Sequence, residues 1–286
     1  MKTIVDGRGM QREADLLRRD GKTIAVVPTM GALHGGHTAL IREARAKADV
    51  VVVTLFVNPT QFGKGEDFER YPRDAAGDVR RAAEAGGDIL FAPTTEGMYG
   101  PRFQTHVAVG DVGRRLEGEL RPGHFQGVAT VVTKLLHLTK PHYAFFGQKD
   151  AQQVAVVRTM IRDLDFDVAL VVLPTVREED GLAMSSRNVY LDAAQRREAP
   201  VLYRSLRAGE EMIMRGERSA AVVVGEITRR IAAETSGRID YVSVADDETM
   251  EERPAFAPGE HVILSLAVRF GTTRLIDNIP VVIPHG

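Results

Sequence analysis

The segment PTMGALHGGH, residues 28–37, carries two histidines three residues apart in a glycine-rich turn. It lies between an apolar run and a helical stretch, so His34 and His37 are predicted at a helix start, where both imidazoles can reach one target. Free N–H groups and the helix dipole favour an anion there, and glycines let a ligand approach the backbone closely. We interpret the segment as a phosphate site. A surface turn with incidental histidines is one alternative. A zinc site is another, but no third ligand lies at suitable spacing in the same turn.

Neutral amides follow the next apolar run, in FVNPTQFGKGEDFERYPRD, residues 56–74. Asn58 and Gln61 can each donate and accept hydrogen bonds, which suits a hydroxyl-bearing organic acid. A turn formed by Asn58 and Pro59 explains the same residues structurally. The segment alone leaves both interpretations open.

Two later segments could also contact phosphate. FFGQKDAQQ, residues 145–153, places Lys149 beside a predicted helix start, where its charge could neutralise phosphate oxygens during nucleotidyl transfer. Asp150 could cap that helix or bond a ribose hydroxyl, and capping beside an exposed lysine is the purely structural alternative. GLAMSSRN, residues 181–188, has two hydroxyls and an arginine on the loop between two predicted domains. That loop could close over a nucleotide, although Ser-Ser-Arg is short enough to occur by chance.

Alternating apolar runs and helical stretches between Lys22 and about Thr175 must position these segments. The strand candidates are TIAVVPT, DVVVVTLFV, DILFA, HYAFF and DVALVVLP, all rich in Val, Ile or Phe. The stretches between them carry apolar residues at helical spacing. The pattern predicts a doubly wound, Rossmann-like α/β domain over residues 1–175, with ligand beyond the carboxyl ends of the parallel strands.

The pattern changes after the loop. Long helical stretches at about Asp192–Met214 and Ser219–Thr235 precede the strand-like YVSVAD and HVILSLAVRF, and APGEH is typical of a hairpin turn. We predict a smaller C-terminal α+β lid domain over residues 176–286.

Composition narrows the class of protein. The 286 residues, 44% hydrophobic and 27% charged, exceed what one small core needs, so two domains are expected. No apolar run is long enough for a membrane span and no signal segment begins the sequence, which predicts a cytoplasmic protein without a membrane partner. The lack of cysteine excludes disulfides, thiolate metal sites and thiol nucleophiles. A net charge of -2 argues against a nucleic-acid partner.

Seven motifs in fixed order carry a resemblance: VPTMGALHGGH, FVNPTQF, YPRD, LEGELRPGHFQGV, FFGQKD, GLAMSSRN and RLIDN. From about Thr23 to Asn278 they resemble the pantothenate synthetase (pantoate-β-alanine ligase) family, of the class I aminoacyl-tRNA synthetase-like nucleotidyltransferase superfamily. The resemblance implies ATP-dependent ligation of pantoate and β-alanine through a pantoyl-adenylate, with AMP and pyrophosphate released. It also implies Mg²⁺ bound with the ATP, and a homodimer.

The resemblance further implies a role for individual residues. It assigns ATP to Met30, Gly31, Ala32, Leu33, His34, Gly35, Gly36 and His37, to Gly147, Gln148, Lys149 and Asp150, and to Val176, Met184, Ser185, Ser186 and Arg187. It assigns pantoate to Gln61 and Gln153, places Gln61 where β-alanine approaches, and adds Asn58, Tyr71 and Arg121 to the substrate pocket. The catalytic set is His37 and His34 with Lys149, Ser185, Ser186 and Arg187, which stabilise charge on the transferring phosphate.

Two positions depart from the family pattern. Gly36 stands where the family often has an acid, and Gln148 replaces a glutamate. Both changes remove negative charge near a polyanion, so activity should be retained, while the details of metal placement stay open.

Two rival functions are weaker. A nucleotidyltransferase acting on a phosphate monoester would need a strongly cationic acceptor pocket, whereas Gln61 and Gln153 offer neutral amides. A catalytically silent nucleotide-binding regulator would be favoured if Lys149 or one histidine were missing, and all are present.

Overall fold

The computed structural model describes residues 1–285 and divides into two compact units. The first unit comprises Met1–Gly147 and Val156–Pro174, and the second comprises Gln148–Ala155 and Thr175–Gly286. Residues 148–155 therefore group with the C-terminal part of the chain, although they directly follow a strand of the first unit.

A six-stranded parallel sheet forms the centre of the first unit. Its strands are β1 (Lys2–Ile4), β2 (Ile24–Thr29), β3 (Val50–Leu55), β4 (Ile89–Phe91), β5 (Tyr143–Gly147) and β6 (Ala169–Leu173). The spatial order is β1-β4-β3-β2-β5-β6, and every paired neighbour is parallel. The order reverses between β2 and β5, which lie side by side. The predicted doubly wound, Rossmann-like sheet is confirmed.

Seven helices connect these strands: α1 (Gly7–Arg19), α2 (Gly35–Lys47), α3 (Ala75–Glu84), α4 (Thr95–Met98), α5 (Glu117–Leu120), α6 (His124–Thr139) and α7 (Ala151–Asp163). Alternate β2 residues Ala25 and Val27 pack with α2 and α3, in one buried cluster. Val26, which points to the opposite face, is also fully buried. Both faces of the central strands are covered, which explains why they read as continuous apolar runs.

The second unit has a smaller antiparallel sheet packed on helices. Its strands β7 (Arg238–Asp246), β8 (His261–Phe270) and β9 (Thr273–Val282) lie in that order, and its helices are α8 (Ala193–Glu198), α9 (Val201–Met214) and α10 (Ala220–Glu234). Leu206 of α9, Ile227 of α10 and Leu264 of β8 are fully buried in its core. The predicted smaller α+β region is confirmed.

Several elements differ from the sequence predictions. The helical stretch expected over Asp192–Met214 is interrupted at Ala199 and Pro200, because proline has no N–H with which to continue a helix. The sequence pattern also failed to predict β1, α1 and β9. TIAVVPT, the first strand that the sequence pattern predicts, is therefore the second strand of the chain, and the histidine segment follows it.

Within residues 1–285 no helix is both long and apolar enough to cross a membrane.

Candidate active site

A buried carboxylate holds the loop that follows β2. Asp78 on α3 is 1% exposed, and it accepts hydrogen bonds from Ala32 N at 2.8 Å and from Leu33 N at 2.7 Å. Gly31 and Ala32 have left-handed backbones, with φ of 87° and 51°. A Cβ at Gly31 would lie 2.9 Å from Asp78 Oδ2, so this position needs glycine. The loop leading to His34 is therefore held in shape from α3.

His34 and His37 lie at the start of α2, as N-cap residue and first-turn residue, with ring centroids 4.1 Å apart. His34 Nδ1 accepts a hydrogen bond from Gly36 N at 3.2 Å, and His37 Nδ1 accepts one from His34 N at 3.3 Å. Since Nδ1 is an acceptor in both rings, each neutral ring carries its proton on Nε2. The pair therefore offers two imidazole N–H donors at a helix N-terminus, a combination suited to phosphate oxygens.

Gly36 gives the His34 ring the room for this arrangement. A Cβ at Gly36 would lie 3.0 Å from His34 Cε1 and 3.1 Å from His34 Nδ1, closer than side chains normally pack. An acidic side chain at position 36 would therefore crowd the His34 ring, which packs against the first turn of α2.

The amides of Asn58 and Gln61 are buried beside the turn that follows β3. Asn58 Nδ2 donates to Gln61 Oε1 and to Gly127 O, each at 3.1 Å, while Asn58 Oδ1 accepts from Tyr99 OH at 2.8 Å. Gln61 Nε2 lies 3.1 Å from Met30 Sδ, a weak acceptor. Asn58 both caps the turn and orients Gln61, so the predicted turn is present, while the role of these amides in recognising an organic acid stays a prediction. Gln61 in turn faces the loop that carries the histidines.

Arg121 and His124 surround the backbone carbonyl of Gln61. Arg121 Nε and Nη2 donate to the two carboxylate oxygens of Glu66 at 2.7 and 2.6 Å, and Arg121 Nη1 lies 3.1 Å from His124 Nε2. His124 Nδ1 lies 2.7 Å from Gln61 O. A guanidinium only donates, so His124 Nε2 accepts, and its Nδ1–H donates to the Gln61 carbonyl. Tyr71, also expected in this pocket, is buried with its ring 5.9 Å from that of Phe62.

The charge states of this cluster follow from its burial. Burial, with the Arg121 charge, lowers the pKa of His124 from 6.5 to about 4, which agrees with a neutral imidazole. Burial acts to raise the pKa of the Glu66 carboxyl, but the hydrogen bond and charge of Arg121 outweigh it and the pKa lies below its usual range. At neutral pH the cluster therefore contains a neutral His124 and a paired Glu66–Arg121.

In the second unit, Val176 and the serine-arginine sequence share one hydrogen-bonded loop. Met184 N donates to Val176 O at 3.0 Å. Ser185 caps the 3₁₀ turn Ser186–Tyr190, and Ser185 Oγ accepts from Arg187 N at 3.2 Å. These bonds hold Val176 next to Met184, eight residues later in the sequence, and fix the turn that begins at Ser185.

The turn Gln148–Asp150 immediately precedes α7 in the same unit. Lys149 Nζ lies 3.4 Å from Asp150 Oδ1, and the lysine side chain is 20% exposed. Gln153 lies half-buried in the first turn of α7. This segment thus presents a cation, a carboxylate and an amide within six residues.

The sequence-assigned residues divide between the units. Met30–His37, Asn58, Gln61, Tyr71 and Arg121 belong to the first, and Gln148–Asp150, Gln153, Val176 and Met184–Arg187 to the second. Sequence reasoning missed Asp78, Tyr99 and His124. His124 lies within a quoted motif, but Asp78 resembles any solvent-facing acid on a helix and carries no local signal of its role.

In the described part of the chain, no group of three His, Asp or Glu side chains could hold a metal ion. The chemistry available from the protein side consists of imidazole, lysine, arginine and hydroxyl donors, with buried amides.

The doubly wound sheet, with histidines after β2 and amides after β3, defines an α/β protein whose polar side chains lie beyond the carboxyl ends of its strands, where such folds bind ligands. The sequence profile of the pantoate-β-alanine ligase family matches residues 2–280. The pantothenate synthetase of Geobacter sulfurreducens is 50% identical over 276 residues, covering 96% of this chain and 96% of that protein. The crystal structure of pantothenate synthetase from Thermus thermophilus matches with a TM-score of 0.90 at 46% identity, covering 98% of this chain and 99% of that one.

A third relative was solved with ligands. The pantoate-β-alanine ligase of Francisella tularensis, in complex with β-γ ATP and β-alanine, matches with a TM-score of 0.81 at 32% identity, covering 98% of this chain and 97% of that one. The chain described here belongs to the pantoate-β-alanine ligase family, and it is an enzyme of the ligase class.

Proposed function

We propose that this enzyme joins (R)-pantoate to β-alanine, forming pantothenate through a pantoyl-adenylate. In the first step a carboxylate oxygen of pantoate bonds to the α-phosphorus of ATP, the bond to the β-phosphate oxygen breaks, and pyrophosphate leaves. In the second step the amine nitrogen of β-alanine bonds to the acyl carbon, and the bond from that carbon to AMP breaks. The amine gives up a proton as AMP and pantothenate are released.

The His34–His37 pair is the observation that carries this proposal. Nucleotidyl transfer places negative charge on the oxygens around the reacting phosphorus, and preorganised donors are most effective where that charge develops. Both rings have Nδ1 occupied by backbone N–H groups, which leaves the proton on Nε2. His37 and His34 therefore act as stabilisers of phosphate charge rather than as bases.

Pantoate recognition falls to Gln61 and Gln153. A neutral amide can donate to the pantoate carboxylate and accept from its hydroxyl. The Gln61 amide is oriented by Asn58, with Tyr71 and Arg121 completing the pocket. Gln61 also lies where β-alanine must approach the activated carbonyl.

ATP is assigned to Met30–His37, to Gly147–Asp150, to Val176 and to Met184–Arg187. Lys149, Ser185, Ser186 and Arg187 share the phosphate charge with the histidines. The bound β-γ ATP and β-alanine of the Francisella tularensis relative support these ligands. Thr29 and Gly147 end the neighbouring strands β2 and β5 at the reversal of strand order, where doubly wound sheets bind ligands.

The proposal also covers the metal ion, the roles of the two domains, the oligomeric state and the cellular location. Mg²⁺ would accompany the ATP. We assign nucleotide and pantoate binding to residues 1–175 and a lid role to residues 176–286. We also propose a cytoplasmic homodimer.

The test is ATP–pyrophosphate exchange with labelled pyrophosphate. We expect exchange with ATP and pantoate alone, because adenylation is complete before the amine is needed. Omitting pantoate should abolish exchange. An absolute requirement for β-alanine would overturn the two-step reaction. Light scattering of the purified protein tests the dimer separately.

A further inference from the structure

The motif RLIDN, residues 274–278, lies on β9 and has no assigned role. Asn278 is 4% exposed, and its Nδ2 donates to Gln148 O and to Lys149 O, each at 2.9 Å. Gln148 Nε2 donates back to Asn278 Oδ1 at 3.3 Å. Both N–H donors of the buried Asn278 amide therefore bind backbone carbonyls of the turn that carries Lys149.

The preceding residue holds a different segment. Asp277 accepts from Arg177 Nη1 and Nη2 at 2.7 and 2.9 Å, and Arg177 also donates to Gly181 O at 3.1 Å. The Arg177 guanidinium lies 3.7 Å from the centroid of the Tyr203 ring, so it is held on several sides. Arg177 directly follows Val176, and Arg177 forms a β-bridge with Ala183. Asp277 therefore fixes the base of the loop that carries Met184–Arg187.

The hydrogen bonds of Asn278 are more than a buried polar side chain at this place in the sheet needs. Ser265 of the adjacent strand β8 pairs in register with Asn278, and within residues 1–285 its buried hydroxyl has no hydrogen-bond partner. At the same level of the sheet one polar side chain is unpaired, and the other makes a full set of specific bonds.

We propose that Asp277 and Asn278 are positioning residues for ATP. Asn278 holds the turn that carries Lys149, and Asp277, acting through Arg177, holds the loop that carries Ser185–Arg187. Two adjacent residues of one strand thereby keep both segments in place before the nucleotide arrives. The inference rests on the proposed function, in which these two segments contact ATP.

The test compares Asn278→Ala and Asn278→Asp with the parent enzyme in pantoate-dependent ATP–pyrophosphate exchange. Loss of two hydrogen bonds should raise the KM for ATP about tenfold and leave the KM for pantoate unchanged. Asn278→Asp keeps the side-chain volume but has no N–H donors, so it should be at least as impaired. Asp240→Asn on β7 is the matched control, because Asp240 accepts a hydrogen bond at 2.7 Å from Arg274, which lies on β9 as Asn278 does.

A double mutant separates positioning from general damage. Adding Asn278→Ala to Lys149→Ala should raise the KM for ATP little further, because the lysine it positions is gone. Normal ATP kinetics in Asn278→Asp would overturn the inference, as would equal changes in ATP and pantoate KM. If Asn278→Ala does not fold, Asn278→Asp with a thermal melt decides the question. Absence of exchange in the parent enzyme would refute the proposed function instead.

Discussion

At the scale of single residues, Asn58 and Gln61 carry the same functional group in different settings. Asn58 has both amide donors and its carbonyl engaged by protein groups. Gln61 Nε2 lies 3.1 Å from the thioether sulfur of Met30, a weak acceptor that a polar ligand could readily replace. Gln61→Ala should therefore raise the KM for pantoate about 10- to 100-fold, since a buried hydrogen bond of this kind is worth about 1–3 kcal/mol.

The KM for ATP should stay unchanged in Gln61→Ala, measured in the same exchange assay. Gln11→Ala on α1 is the control, because Gln11 bonds the distant His137 carbonyl and should affect neither substrate. Weaker ATP use with normal pantoate kinetics would show that Gln61 serves the nucleotide.

His124 makes stability depend on pH. Its pKa is about 4 in the fold and 6.5 when unperturbed, so below pH 6.5 the unfolded chain binds a proton that the folded chain does not bind until about pH 4. Stability is therefore lost as pH falls through this window, by about 1.4 kcal/mol per unit. The groups facing the ring are Arg121, Glu66 and Glu117.

Chemical denaturation should show this loss directly. Between about pH 7.5 and about pH 5, the parent enzyme should lose roughly 2 kcal/mol more unfolding free energy than His124→Asn, which has no titrating ring. The exposed His261 offers the control His261→Asn, which should behave like the parent. Identical pH dependence in the parent and His124→Asn would mean that His124 can accept a proton in the fold.

The role of Asp78 shows why some site residues escape sequence reasoning. Histidine, lysine and amide side chains in the motifs suggest ligands by their own chemistry. Asp78 instead acts on the backbone of a loop 46 residues earlier in the chain, and only the packing of α3 brings the two together. A lone acid on an amphipathic helix gives no sign of such a contact.

At the scale of elements, one glycine sets how closely α6 approaches the turn after β3. A Cβ at Gly127 would lie 2.4 Å from Thr60 O and 2.7 Å from Gln61 N, both backbone atoms. Gly127→Ala should therefore push the Gln61 turn away, raising the KM for pantoate and destabilising the fold by about 1–3 kcal/mol. Pantoate kinetics and a thermal melt measure the two effects.

A glycine-to-alanine substitution in α10 should instead stabilise the fold. Gly225 lies in α10, and an added Cβ there meets nothing within 4 Å. Gly225→Ala should stabilise the protein by up to about 1 kcal/mol, because alanine favours a helix. If Gly127→Ala were equally harmless, the close packing of α6 against this turn would be wrong.

The elements that the sequence predicts are those with unbroken patterns. The central strands β2, β3 and β5 are buried on both faces and read as apolar runs. In β9 the buried Asp277 and Asn278 interrupt that pattern, and their burial is possible only because Arg177 and the Gln148–Asp150 turn pair with them. β1 is three residues long and lies at the edge of the sheet, where it pairs with β4. Neither strand could be recognised without its tertiary partners.

At the scale of the whole molecule, the residues assigned to ATP come from both compact units. His34 belongs to the first unit and Lys149 to the second. ATP at 100 times its Kd should stabilise the parent enzyme by about 2.7 kcal/mol, a Tm rise of several degrees. If both residues contact ATP, His34→Ala and Lys149→Ala should each reduce this rise, while Lys22→Ala at an exposed site should not. Scanning calorimetry with and without ATP measures it. A full rise in either active-site variant would show that the replaced side chain contributes nothing to ATP binding, and its assignment to the nucleotide would be wrong.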